Sequence, residues 1–145
     1  MNKPATIIMI EDDDGHARLI ERNMRRARVT NRIIHFSNGA SAKKYLDELQ
    51  KQLAGGMPVL ILLDLNLPDL SGLEILEYLK LKGHLKRVPV IVLTTTDDEA
   101  EIERCYDLGC CVYITKPVDY DQFASAVRQL GLFLAVIKIP DPIDA

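Results

Sequence analysis

No stretch of this sequence approaches the ~20 consecutive apolar residues that a membrane-spanning helix requires, so no span is expected. The opening residues, Met1-Asn2-Lys3-Pro4, lack a signal-peptide core. Cysteine is scarce: Cys105, Cys110 and Cys111 are odd in number and crowded together. That argues against a disulfide framework, lacks the spacing of a zinc site and points to a reducing cytoplasm. Positive charge is not in excess either. With 18 basic and 21 acidic residues the net charge is -3, which removes the electrostatic case for a nucleic-acid ligand. The glycine fingerprint of a dinucleotide site is also missing after the first apolar run. Glu11-Asp12-Asp13-Asp14 stand there instead and would repel a pyrophosphate.

What is present is the balance of a soluble globular protein, 48% hydrophobic and 27% charged over 145 residues. That length suits a single domain over residues 1–145 and leaves no room for a second of ordinary size. The one basic run, Arg22 to Arg32, lies on a helix that also carries Glu21, and reads as a solvated or protein-docking face.

Short apolar runs alternate with helical patterns throughout, which predicts a parallel sheet covered by helices. Strands are expected at Thr6–Ile10, Arg32–Phe36, Val59–Leu63, Pro89–Leu93 and Val112–Thr115. Helices are expected over about Gly15–Arg28, Ser41–Leu53, Leu73–Lys82, from Asp97 or Asp98 as a cap to Leu108, and from about Tyr120. Gly55-Gly56-Met57-Pro58 stops the second helix and Gly109 the fourth. The fold class that follows is α/β, a doubly wound five-stranded parallel sheet of flavodoxin-like order 2-1-3-4-5 with helices on both faces.

The segment from Leu60 to Gly72 carries most of the functional information. Leu60-Ile61-Leu62-Leu63 reads as a buried central strand, and Asp64 follows at its carboxyl end, where open α/β sheets bind ligands. The carboxyl ends of strands one, three, four and five meet on one edge, carrying Glu11 and Asp12, Asp64, Thr94 and Lys116. Crowded carboxylates repel, so a hard divalent cation is expected among them. Magnesium fits, because it needs only one or two carboxylates and keeps waters and phosphate oxygens for the rest of its shell. Asp12, Asp64 and the backbone carbonyl of Asn66 are the expected direct ligands, with Glu11 acting through a water. The donors Thr94 and Lys116 make sense if further negative charge arrives, and a phosphoryl group on Asp64 supplies it. With no evident general base, transfer onto Asp64 is expected and turnover on a bulk substrate is not.

This constellation closely resembles the receiver domain of bacterial two-component response regulators, the family of the chemotaxis response regulator. The likeness covers about residues 5 to 130 and rests on Glu11-Asp12, the Asp64-to-Gly72 segment, Thr94, Tyr113 and Lys116-Pro117. The order 2-1-3-4-5 is that of this family too, so it is implied by likeness as much as by chain length. The resemblance implies that Asp64 accepts phosphate from a sensor histidine kinase and that the Lys116–Pro117 peptide is cis. It implies a switch in which Thr94 moves toward the phosphorylated Asp64 and Tyr113 rotates into the vacated space. Asn66 and Thr96 would lie beside the acceptor and influence how easily water attacks it. Glu11 stands where many members have Asp, and still provides an outer acid.

The end of the chain is expected to differ from a minimal member. Phe123, Val127, Leu130, Leu134 and Ile137 form one stripe for the sheet, which leaves Leu132, Phe133, Val136 and Ile139 without a surface. Residues 131–145 are therefore read as a C-terminal extension, and the leftover set as the face of a symmetric homodimer. A stand-alone receiver is expected, and the extended tail is similar to the response regulators that accompany phytochromes. Three rivals are weaker. A degenerate receiver would not keep Asp12, Asp64, Thr94 and Lys116 together. A haloacid-dehalogenase-like phosphatase wants an acid where Asn66 stands, and a flavodoxin-like carrier wants hydroxyls and glycines in the first loop.

Overall fold

Alternation of side chains along β-strands sorts this chain into two cores. The structure, a computed structural model, describes residues 5–52 and 58–134. Along the chain run β1 (Thr6–Ile10), α1 (Asp14–Arg26), β2 (Ile33–Phe36), α2 (Gly39–Gln52), β3 (Val59–Leu63), α3 (Gly72–Lys80), a 3-10 helix (Gly83–Arg87), β4 (Val90–Thr94), α4 (Glu99–Asp107), β5 (Val112–Thr115) and α5 (Tyr120–Leu134). The strands form one sheet in the order β2-β1-β3-β4-β5, and every pairing is parallel. The expected α/β class and order are thus borne out, and β1, β3 and β5 have the predicted bounds.

Successive strand residues point to opposite faces. Ile8, Ile10, Ile61, Leu63, Val90 and Val92 pack under α2, α3 and α4 with Ala42, Leu46, Ile75, Leu76, Leu79 and Cys105. Their neighbours Ile7, Met9, Leu60, Leu62, Ile91 and Leu93 face α1 and α5, meeting Ala17, Ile20, Met24, Phe123 and Val127. β3 and β4 are buried along their whole length, as continuous apolar runs covered on both faces should be. The last turn of α5 divides as the sequence suggests. Leu130 is buried and Leu134 packs partly against the second core, whereas Leu132 and Phe133 are 61% and 50% exposed. Ile137, Val136 and Ile139, with the rest of the tail and most of the Gly55–Pro58 stop, lie outside the described residues.

Two details differ from the sequence reading, and a third settles an alternative it left open. α3 ends at Lys80, and the chain then makes the unforeseen 3-10 helix, whose Leu85 is buried in the first core. The cap of α4 resolves to Asp98, whose carboxylate accepts the Glu101 N–H at 3.2 Å. At the end of α1 the Val29 N–H bonds the Met24 carbonyl and the Arg28 N–H that of Arg25, both at 3.0 Å. This double closure requires a left-handed residue at Arg28, which has φ 66°. On the outer side of edge strand β5, the Tyr106 hydroxyl accepts the Tyr113 backbone N–H at 3.1 Å. No helix among the described residues is long and apolar enough to cross a membrane.

Candidate functional site

The sheet ladder continues one residue past three strands and thereby fixes the site. The Glu11 N–H bonds the Phe36 carbonyl at 2.9 Å, the Asp64 N–H the Ile10 carbonyl at 2.9 Å, and the Lys116 N–H the Thr94 carbonyl at 2.6 Å. Their side chains therefore leave the same end of the sheet from rigid backbone. Gly72, the first residue of α3, lets that helix begin against the Asp64 turn. A Cβ there would sit 2.7 Å from both the Asp64 carbonyl oxygen and the Leu65 Cα. Ser71 caps the helix in a reciprocal box with Glu74.

Glu11, Asp64, Thr94 and Lys116 are all buried, while Asp12 is exposed. The Thr94 hydroxyl donates to Asp64 Oδ1 at 2.6 Å, and the Asn66 backbone N–H reaches the same oxygen at 3.1 Å. Lys116 Nζ donates to Asp64 Oδ2 at 3.0 Å and to Glu11 Oε1. Asp13 N–H closes on the other Glu11 oxygen at 3.2 Å. Each of Glu11, Asp12 and Asp64 offers an oxygen within 4.8 Å of the others. The predicted residues are thus brought together. The Asn66 amide nitrogen also lies 3.3 Å from the Thr94 hydroxyl and 3.2 Å from that of Thr96, and the Tyr113 hydroxyl donates to the Thr96 carbonyl.

Charge is unevenly settled in this cluster. Burial drives the Asp64 carboxyl up, but the Thr94 hydroxyl, the Asn66 N–H and the Lys116 ammonium hold it, on balance, below its ordinary value. Glu11 goes the other way. Burial, aided by the charge of Asp64, pushes it up to about 8 despite the bond from Lys116. One lysine therefore does not balance two buried carboxylates, and the all-oxygen donor set with exposed Asp12 at its mouth fits a hard divalent cation. Desolvation raises the Tyr113 phenol to about 12.

One expectation fails. The Lys116–Pro117 peptide is trans, the isomer an X–Pro bond prefers by about 0.5–1 kcal/mol in the absence of a context that selects the other. One participant was missed: His16, from the first turn of α1, places Nδ1 3.0 Å from Lys116 Nζ. Its position in the chain carries no motif, and only the packing of α1 beside α5 brings it to the lysine.

Comparison with known proteins agrees with this geometry. Residues 7–128 match the response regulator receiver domain. A response regulator receiver domain from Rhodospirillum rubrum is 57% identical, covering 94% of this chain and 98% of its own, with a TM-score of 0.89. Response regulator Rcp1 of Synechocystis sp. is 31% identical over 96% of this chain and 95% of its own length. The structure of Rcp1 in its Mn(2+)-bound form, 30% identical, covers 94% of this chain and 99% of its own with a TM-score of 0.83. The phosphorylated cyanobacterial phytochrome response regulator RcpA is 33% identical over 96% of this chain and 100% of its own, TM-score 0.84. With the sheet order, the acidic pair, the strand-end aspartate and its threonine and lysine all in place, this chain belongs to the response regulator receiver domain family.

Proposed function

We propose that this protein is a phosphoacceptor response regulator, taking a phosphoryl group from a histidine kinase onto Asp64. The observation that carries the reading is the grip on Asp64, with Thr94 at 2.6 Å on one oxygen and Lys116 at 3.0 Å on the other. In the transfer the phosphorus–nitrogen bond of phosphohistidine breaks, a phosphorus–oxygen bond to Asp64 forms, and the imidazole leaves with its electron pair. Lys116 then turns its proton to a phosphoryl oxygen, and the Thr94 hydroxyl moves from carboxylate to phosphoryl group. That movement vacates the space into which Tyr113 rotates, changing the surface around α4 and β5. Asn66 and Thr96, joined by their side chains, flank the acceptor and tune attack by water.

Asp12, Asp64 and the Asn66 backbone carbonyl would hold Mg2+, with Glu11 reaching it through a water. When bound, the ion neutralises the phosphoryl oxygens during transfer. The likeness to RcpA, a cyanobacterial phytochrome response regulator, supports a phytochrome-type kinase as the partner, and we place the exchange in the cytoplasm. We take residues 1–145 as one receiver domain with residues 131–145 as its extension. Exposed Leu132 and Phe133, with Val136 and Ile139 further along the chain, are candidates for a homodimer face.

The test is intact mass after incubation with Mg2+ and phosphoramidate. Wild type should gain one phosphoryl group; Asp64→Asn, or wild type in EDTA, should gain none. An adduct that persists in Asp64→Asn would remove Asp64 from its role.

A further inference from the structure

An ammonium group has three protons to place. Those of Lys116 go to Glu11 Oε1, to Asp64 Oδ2 at 3.0 Å and to His16 Nδ1 at 3.0 Å. The first two acceptors are carboxyl groups. His16 supplies the third acceptor and adds no negative charge. A carboxylate in its place would bring a further anion against Glu11, whose oxygen is already 4.0 Å from Nδ1.

The imidazole is itself held in place. Its backbone N–H is capped by Asp13 Oδ1 at 2.9 Å, which fixes the first turn of α1. Its ring meets Phe123 of α5 edge-on, with centroids 5.3 Å apart and planes at 67°. Phe123 also backs the lysine, whose Nζ lies 5.9 Å from the ring centroid. With Nδ1 accepting, the ring proton is on Nε2. His16 thus ties the end of β5 to α1 through the same side chain that serves the acceptor.

We propose that His16 is a positioning residue for phosphoryl transfer: its Nδ1 takes the third proton of the Lys116 ammonium and so fixes Nζ in contact with both Glu11 and Asp64. This rests on the phosphoacceptor reading of Asp64. When Asp64 is modified, the proton that it released turns to the phosphoryl group, while Glu11 and His16 keep the other two and the ammonium stays in place.

Two substitutions separate this role from simple packing. His16→Asn keeps an acceptor near the place of Nδ1 and loses the ring. His16→Phe keeps a ring against Phe123 and loses the acceptor. Phosphorylation by phosphoramidate with Mg2+ should slow about three- to tenfold in His16→Phe, the worth of one hydrogen bond. The half-saturating phosphodonor concentration should not change, and His16→Asn should recover most of the rate. A Phe variant as fast as wild type, or an Asn variant as slow as His16→Ala, would overturn the proposal. A double-mutant cycle of His16→Phe with Lys116→Met, read from urea unfolding midpoints without phosphodonor, provides a second measure. Coupling is expected, and additivity would overturn the contact. If wild type takes no phosphate yet the cycle shows coupling, the phosphoacceptor reading falls and the positioning contact stands.

Discussion

Glu11 and Asp64 lie side by side yet carry opposite shifts, which gives the metal-free protein a distinctive pH profile. Glu11, pushed from 4.5 up to about 8, binds its proton more tightly folded than unfolded. Its contribution to stability is full below 4.5 and is lost as pH rises through about 8. Asp64 is held below 3.8, so its contribution is present above that value and is lost only in stronger acid. Urea unfolding midpoints in EDTA should therefore fall between about pH 5 and pH 8, and Glu11→Gln should flatten that slope. A slope unchanged by the substitution would mean that Glu11 is not the titrating group. On our reading of the site, Mg2+ at a hundred times its dissociation constant should add about 2.7 kcal/mol to wild type at pH 8. The carboxylates, Thr94 and Lys116 were legible in the sequence, because strand ends can be read from apolar runs. His16 was not, since its place depends on how α1 leans toward α5.

At the scale of elements, the turns hold what the sequence reading passed over. Its strands followed from uninterrupted apolar runs, and α1, α2 and α5 from helical stripes. Arg28 gave no warning, because a left-handed residue after a helix is usually glycine and arginine has no local signature for it. Replacing it should relieve the strain without touching the bonds of the turn. Arg28→Gly is expected to stabilise by about 0.5–1 kcal/mol, measured as a higher urea midpoint at constant slope. Gly72 has the opposite sensitivity. Its Cβ would collide with backbone atoms, which cannot swing aside. Gly72→Ala should cost about 1–3 kcal/mol and, by displacing the Asp64 turn, also slow phosphorylation. A loss of stability at an unchanged rate would show that the turn absorbs the shift. The 3-10 helix at Gly83–Arg87 was invisible for a different reason: five residues anchored by buried Leu85 are too few for a period to show.

For the molecule as a whole, the sheet divides the interior into two cores, and on the surface Arg25 pairs with Glu21 at 3.9 Å and Arg104 with Glu77 at 3.1 Å. Arg22, Arg25 and Arg26 are exposed on α1 beside Glu21. Leu132 and Phe133 add an apolar spot at the end of α5. If these residues seat a second copy, Leu132→Glu with Phe133→Glu should give a monomer by light scattering, while wild type gives a dimer whose population rises with concentration. Matching masses for the two proteins would place self-association elsewhere or exclude it. The folding unit itself should not suffer, because neither side chain belongs to a core.

The Tyr106 hydroxyl that receives the Tyr113 amide has a consequence for life in a crowded solution. β5 is the rim of the sheet, and an uncovered rim invites a stranger's strand to zip onto it. By occupying that amide from the side, a single phenol from α4 removes one of the donors on which such a strand would zip.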